Sequence, residues 1–192
     1  MKVTVLGAGS WGTTVASLLA LKNETTLWAR SAEAAHEITT AHTNTRYLSG
    51  YPLPESLRAT SDLAQAVGEA DVLFVGVPTH GFRAAIEAAV PHVRPWIPVV
   101  SLSKGFEQGS LLRMTEVITE LLPGHPAGVL SGPNLAKEIM SGAAAASVIA
   151  TPDLGVARQL QRILQSARFR VYTNHDVIGC EVGGALKNVV AI

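Results

Sequence analysis

Lys2-Val-Thr-Val-Leu6, followed by Gly7-Ala-Gly9-Ser10-Trp11-Gly12, decides how this chain is read. A short β-branched run stopped by glycine reads as a buried strand. Beyond it, Trp11, Val15, Leu18 and Leu19 recur at helical spacing, so the glycines lie in the turn between a strand and an amphipathic helix. That placement gives meaning to a G-x-G-x-x-G pattern that is weak when it stands alone. Gly7 permits a tight turn, Gly9 lets the backbone approach a diphosphate, and Gly12 lets helix and strand pack closely. The helix start offers unpaired N–H groups and a partial positive charge to phosphate oxygens. The alternative is an ordinary glycine turn without function.

Outward from the loop, Thr25–Ala29 reads as a second strand whose end is Trp28-Ala29-Arg30. An NAD site carries Asp or Glu at that strand end to bond the ribose 2′-hydroxyl. Here Arg30 stands there, and Glu33 comes one helical turn later. A planar guanidinium suits a 2′-phosphate, so the sequence favours NADP over NAD. The alternative for Arg30 is a solvated surface side chain.

Strand and helix patterns then alternate. Ser31 caps a helix through about His42, and Asn44 to Pro54 is turn-rich and irregular. Strand patterns at Leu57–Thr60, Asp71–Gly76, Ile97–Leu102 and Val129-Leu130 interleave with helices at Ser61–Glu69, Gly81–Val90, Ser110–Leu122 and Asn134–Met140. Ala143–Ala150 and Phe169–Thr173 extend the sheet, with a helix over Asp153–Gln165 between them. Such alternation predicts an α/β, doubly wound and mostly parallel sheet. From Asp176 the pattern is helical to Ile192 with no stop signal, which predicts two units: a nucleotide-binding domain over 1–175, and at 176–192 the first helix of a truncated second domain.

Composition excludes several classes. The 192 residues are 47% apolar and 16% charged, with 15 basic against 15 acidic side chains. Zero net charge argues against nucleic-acid binding through bulk charge. No apolar run reaches the ~18–20 residues a membrane span needs. Met1-Lys2 leads directly into a strand, where a secretory leader would need a small-residue cleavage site. The single cysteine, Cys180, permits no intrachain disulfide and fits a reducing cytoplasm. The six histidines show no ligand spacing, so no metal is expected. Cys180 is expected as a small core residue, and Trp28 and Trp96 as packing residues.

Two lysines carry the remaining chemistry. Ser101-Leu-Ser-Lys104-Gly-Phe-Glu107 follows the fifth strand, and ligands of open parallel sheets bind beyond the carboxyl ends of strands. Ser131-Gly-Pro-Asn-Leu-Ala-Lys-Glu138 follows the sixth strand at the same edge. In Glu181-Val-Gly-Gly-Ala-Leu-Lys187-Asn188, Gly183 and Gly184 lie four and three residues before Lys187. Two helix-interior glycines cost roughly 1 kcal/mol each, and an open groove beside the Lys187 stem would justify them. Close helix packing with Lys187 exposed is the alternative.

Together these segments resemble the NAD(P)-dependent glycerol-3-phosphate dehydrogenase family of bacterial type. The likeness rests on Gly7–Gly12 with Trp11, Val77-Pro78, Ser103-Lys104-Gly105-Phe106-Glu107, Ser131-Gly132-Pro133 and Glu181 through Asn188. It implies a Rossmann-type domain followed by an all-helical one, and reversible hydride transfer between sn-glycerol 3-phosphate and dihydroxyacetone phosphate, which supplies glycerol 3-phosphate for phospholipid synthesis. By the same resemblance, Gly7, Gly9, Ser10, Trp11 and Gly12 take the cofactor diphosphate, Arg30 lies near the adenosine ribose, and Ala136 lies against the cofactor. Lys104 touches cofactor and substrate, Gly132 and Asn134 line the substrate pocket, and Lys187 is the proton acceptor. The family usually has Ser or Thr where this chain has Asn134, and its Arg-Asn phosphate pair lies beyond Ile192.

Physical reasoning extends this expectation. A lysine at ~10.4 is a poor base at neutral pH, and burial beside a second cation lowers it. Lys104 is expected as that second cation for Lys187, which acts as acid and base while Lys104 orients carbonyl or phosphate. These residues alone are expected to bind cofactor without completing catalysis. The alternatives are a related hydroxyacid or sugar-nucleotide dehydrogenase, and a dinucleotide-binding module without catalysis. Val182, Leu186, Val189 and Val190 need an apolar partner, and fraying, folding back and homodimer formation are all open to that helix.

Overall fold

Alternating side chains along β1 (Lys2–Leu6) set the layers: Val3 and Val5 enter one core, Leu6 the other. The same alternation in β4 (Val72–Val75) sends Phe74 to the first core and Leu73 and Val75 to the second. A sheet covered on both faces needs apolar residues on both, which is why these strands read as continuous apolar runs. Phe74 and Leu27 are fully buried, and each contributes roughly 1.5–3 kcal/mol by leaving water.

The computed structural model describes residues 1–191, apart from the side chains of Asn188, Val190 and Ala191. After β1 come α1 (Ser10–Ala20), β2 (Glu24–Trp28), α2 (Ala32–Thr40), α3 (Thr45–Leu48), β3 (Arg58–Thr60) and α4 (Leu63–Gly68). Beyond β4 follow α5 (Thr79–Ala89), β5 (Val99–Ser101), α6 (Met114–Leu121), β6 (Ala127–Ser131), α7 (Ala136–Met140), β7 (Ala145–Ala150), α8 (Leu154–Leu164), β8 (Phe169–Asn174) and α9 (Val177–Ala191). The strands form one sheet in the order β3-β2-β1-β4-β5-β6-β7-β8. This is the doubly wound, mostly parallel α/β architecture that the alternation predicts. The order reverses between β1 and β4, and their carboxyl ends form the crevice where such sheets bind ligands. The cap expected at Ser31 is in place, its Oγ accepting from Ala34 N at 3.2 Å, and at the start of α4 Asp62 Oδ1 accepts from Gln65 N at 3.0 Å.

Several expectations change. β7 runs antiparallel to β6, because α7 has only five residues and the chain turns back at the same edge, without a long crossover. The stretch read as irregular contains α3. The helix expected from Ser110 begins at Met114: Glu107 N donates to Leu112 O at 2.9 Å and Phe106 bridges Arg113, so residues 106–113 form a hairpin. Trp96 covers Gly124 yet remains 74% exposed, and Cys180 is only partly buried. On α9, Val182 is partly buried while Leu186 and Val189 are 46% and 70% exposed; the Val190 side chain lies outside the described residues. Among the described residues no helix is long and apolar enough to cross a membrane.

Candidate active site

The glycine loop is built by backbone crowding. Gly7 N donates to Trp28 O at 3.0 Å, and Gly76 N to Leu6 O at 2.7 Å, which knits together the ends of β1, β2 and β4. Gly7 adopts φ +106, and a Cβ there would stand 2.8 Å from Gly76 O. A Cβ on Gly12 would stand 2.0 Å from Gly7 O, so the third glycine serves helix–strand packing as predicted. On Gly9 a Cβ would meet nothing within 4 Å: the space in front of the loop is open. Gly9 is also the N-cap of α1 and gives no side-chain cap, and the first turn carries no acid. The Trp11 Nε1–H is buried with no partner among the described residues. Open space, uncapped amides and an orphaned donor fit a dinucleotide diphosphate. Ser10, at the helix start, is half-buried beside them.

Behind the loop lies a residue the sequence reading missed. Asn44 is 2% exposed, and its Nδ2 donates to Ala8 O at 3.0 Å and Thr13 Oγ1 at 2.9 Å. It clamps the loop from a segment distant in sequence. An asparagine in a turn-rich stretch has many local uses, so no sequence signal marked it.

Arg30 is exposed at the end of β2. Ser31 Oγ donates to Glu33 Oε2 at 2.5 Å, a bond that holds the Glu33 carboxyl below its usual range. The acid one helical turn on is thus bonded back to Ser31, the residue after Arg30.

Three neighbouring strand ends carry the rest. Gly76-Val77-Pro78 follows β4, Lys104 follows β5 and Gly132 follows β6. Ser103 Oγ donates to Val77 O at 2.5 Å, and Lys104 Nζ donates to Gly132 O at 2.7 Å. Arg83 on α5 fixes the following turn through Glu107, Nε to Oε1 at 2.8 Å and Nη2 to Oε2 at 3.1 Å. Burial first, then the neighbouring Lys187, pulls the Lys104 amine down to about 8. The two lysines therefore meet as expected, and Lys104 carries a lowered amine. Lys104 is the one wedged between strand ends and helix.

The α9 glycines divide between the two readings. A Cβ on Gly184 would stand 2.7 Å from Ser131 Oγ and 3.8 Å from Lys104 Cγ, so Gly184 serves close packing. Gly183 meets nothing within 4 Å and is open. Glu181, 8% exposed, accepts from Arg113 Nη1 at 2.9 Å, Thr115 N at 2.9 Å and Thr115 Oγ1 at 2.5 Å. Asn134 turns toward β7: its Nδ2 donates to Ala146 O at 2.8 Å, and its Oδ1 accepts from Ser147 Oγ at 2.5 Å. Both ends of the amide are thereby used to tie the loop to the sheet. Ala136 opens α7, half-buried.

A family described as NAD-dependent glycerol-3-phosphate dehydrogenase N-terminus matches residues 2–157. The protein named glycerol-3-phosphate dehydrogenase (NAD(P)+) 2 of Sphingopyxis alaskensis is 55% identical over 192 residues, covering 100% of this chain and 58% of that protein. Glycerol-3-phosphate dehydrogenase (NAD(P)+) of Mycobacterium avium is 53% identical, with 100% and 56% covered. Among solved structures, glycerol-3-phosphate dehydrogenase of Coxiella burnetii superposes with a TM-score of 0.92 at 34% identity, covering 99% of this chain and 58% of that one. The Plasmodium falciparum glycerol-3-phosphate dehydrogenase superposes at 0.93 with 27% identity, covering 99% and 57%. The chain thus spans somewhat more than half the length of the relatives it matches, and through the match over 2–157 it belongs to the NAD-dependent glycerol-3-phosphate dehydrogenase family, of which it carries the N-terminal part.

Proposed function

We propose that the protein to which these residues belong transfers a hydride reversibly between NAD(P)H and dihydroxyacetone phosphate, giving sn-glycerol 3-phosphate for phospholipid synthesis. One observation carries the reading: the open glycine loop after β1 and the Lys104 amine beyond β5, met by the Lys187 amine of α9, lie at one edge of adjacent parallel strands. The names of the relatives support the same substrate and cofactor.

A bound reduced nicotinamide would supply the hydride. The chain's own residues prepare the rest. Gly7, Gly9, Ser10, Trp11 and Gly12 hold the diphosphate, and Ala136 flanks the cofactor. Lys104, fixed to the Gly132 carbonyl, keeps two N–H donors for the carbonyl or phosphate of the substrate. Lys187 gives its proton to the alkoxide oxygen as charge develops there, and removes the hydroxyl proton in the oxidative direction. An amine lowered to about 8 gives the pocket a proton exchangeable near neutral pH. Gly132 acts through its carbonyl and Asn134 shapes the pocket wall. Arg30, exposed at the end of β2, supports preference for NADP. Residues 1–175 form the cofactor domain, and 176–192 begin the substrate domain. Since the relatives are longer, these 192 residues bind cofactor without completing turnover. Cytoplasmic residence belongs to the same proposal, supported by the lone cysteine.

The test is Lys187→Met in the full chain. Oxidation of NADPH by dihydroxyacetone phosphate should slow by about 100-fold or more, the usual share of acid–base catalysis, with NADPH fluorescence binding retained. Turnover within tenfold of the parent overturns the assignment.

A further inference from the structure

We propose that Glu181 is a positioning residue: its grip on Arg113 and Thr115 sets the separation of the Lys104 and Lys187 amines. The inference rests on the reading above, in which those two amines are the reacting pair.

The two lysines belong to segments of different kinds. Lys104 opens the hairpin after β5, and Lys187 sits on α9. Like charges repel, so neither segment approaches the other on account of its amine, and some other contact must hold them together. Glu181 supplies it. Its carboxylate is buried and takes donors from the Arg113 guanidinium, the Thr115 backbone and the Thr115 hydroxyl. Arg113 pairs across the hairpin with Phe106, two residues beyond Lys104. Its backbone N–H closes the start of α6 on Glu116, and its Nη2 reaches Glu116 Oε1 at 2.8 Å. The guanidinium is therefore held by two carboxylates, Glu116 and Glu181.

On α9, Glu181, Gly184 and Lys187 follow at intervals of three and share one side of the helix. The first holds Arg113, and the second rests on Ser131 and the Lys104 stem. The third presents its charge to the Lys104 amine. The contacts close a ring: Lys104, hairpin, Arg113, Glu181, α9, Lys187, and back to Lys104. An apolar contact would dock the helix as firmly, and buried ion pairs are poor sources of stability. What a carboxylate between a guanidinium and a helix start adds is direction and register. The other charged groups of these elements are paired elsewhere: Arg83 with Glu107 and Glu120, and Arg113 with Glu116 and Glu181. Among the described residues neither amine has a carboxylate partner of its own. Lys137 and Glu138 on the adjacent α7 are exposed.

The test reads the amines directly. In the full chain without cofactor, acetic anhydride labelling of each lysine is followed across pH by mass spectrometry. Lys104 should label with a midpoint near 8. Lys187→Met raises that midpoint and so sets the scale. Glu181→Gln should raise it by at least half as much, and Glu181→Asp, which keeps the charge, by less. Thr115→Val removes one donor and strands no charge. It should shift the midpoint the same way and decides the matter should the Gln variant fail to fold. Lys22 and Lys137, both exposed, should label unchanged in every variant. A folded Gln or Val variant with the parent midpoint, beside a shifted Lys187→Met, overturns the proposal. An unmoved midpoint in Lys187→Met overturns it too, since there is then no pair to position. Failure of the dehydrogenase reading has a different signature: no turnover of dihydroxyacetone phosphate by the parent chain, with these titrations intact.

Discussion

Gly9→Ala and Gly12→Ala change the same atom three residues apart, and the structure gives them opposite fates. Gly9 lies at φ −71 and ψ 175, a conformation alanine adopts without strain, and its Cβ would meet nothing within 4 Å. Restricting the unfolded chain stabilises by about 0.4–1 kcal/mol, while alanine is the poorer N-cap by a similar amount. Stability should therefore stay within about 1 kcal/mol of the parent. The new methyl stands in the space that a diphosphate must enter. Losing two loop amide bonds at about 1.5 kcal/mol each removes about 3 kcal/mol, or on the order of 100-fold in affinity. For Gly12, the Cβ would stand 2.0 Å from Gly7 O, and ordinary contact begins at 3.4 Å, so α1 must retreat by 1.4 Å. Neither atom is the end of a flexible side chain, so about 3 kcal/mol of stability should be lost, the upper range for overpacking. Urea unfolding followed by circular dichroism gives the first quantity, and NADPH fluorescence titration the second. Parental NADPH affinity in Gly9→Ala, or parental stability in Gly12→Ala, would refute the account of the loop.

Asn44→Ala leaves the buried Thr13 hydroxyl and the part-buried Ala8 carbonyl without this donor and should cost about 1–3 kcal/mol in urea unfolding, with weaker NADPH binding because the loop loses its clamp. Arg30→Glu should weaken NADPH binding by on the order of tenfold or more and leave NADH binding nearly unchanged in parallel titrations, the cost of losing one charge-assisted phosphate contact. Lys104 carries a pH prediction. Its amine loses its proton near 8 in the folded chain and near 10.5 in the unfolded one, so between these values the unfolded state binds more protons and stability rises with pH. Subtracting the stability–pH curve of Lys104→Met from that of the parent should isolate this rise; a flat difference curve refutes the lowered amine.

The first strand, the glycine turn and the first helix were legible because their signals are local: a β-branched run, a glycine stop and a helical period lie within twenty residues. So was the cap at Ser31, where a side chain bonds its own helix start. Lys104, Gly132 and Lys187 were legible as candidates through their motifs and their place after strands. Boundaries failed where distant contacts overrode local propensity. The Ser110 helix start yields to the Phe106–Arg113 hairpin, and β7 reverses direction at the edge of β6.

By itself, then, the sequence determined the alternation of elements, the parallel core of the sheet and the identity of the loop that can hold a diphosphate, because periodicity and turn chemistry act between near neighbours. Only the tertiary structure decided that the Lys104 amine is desolvated, that Asn44 stands behind the loop, that Gly184 is a packing contact, and that Glu181 reaches Arg113. Each of those depends on segments tens of residues apart meeting in a crowded interior, where burial and distance, not residue type, fix the energy.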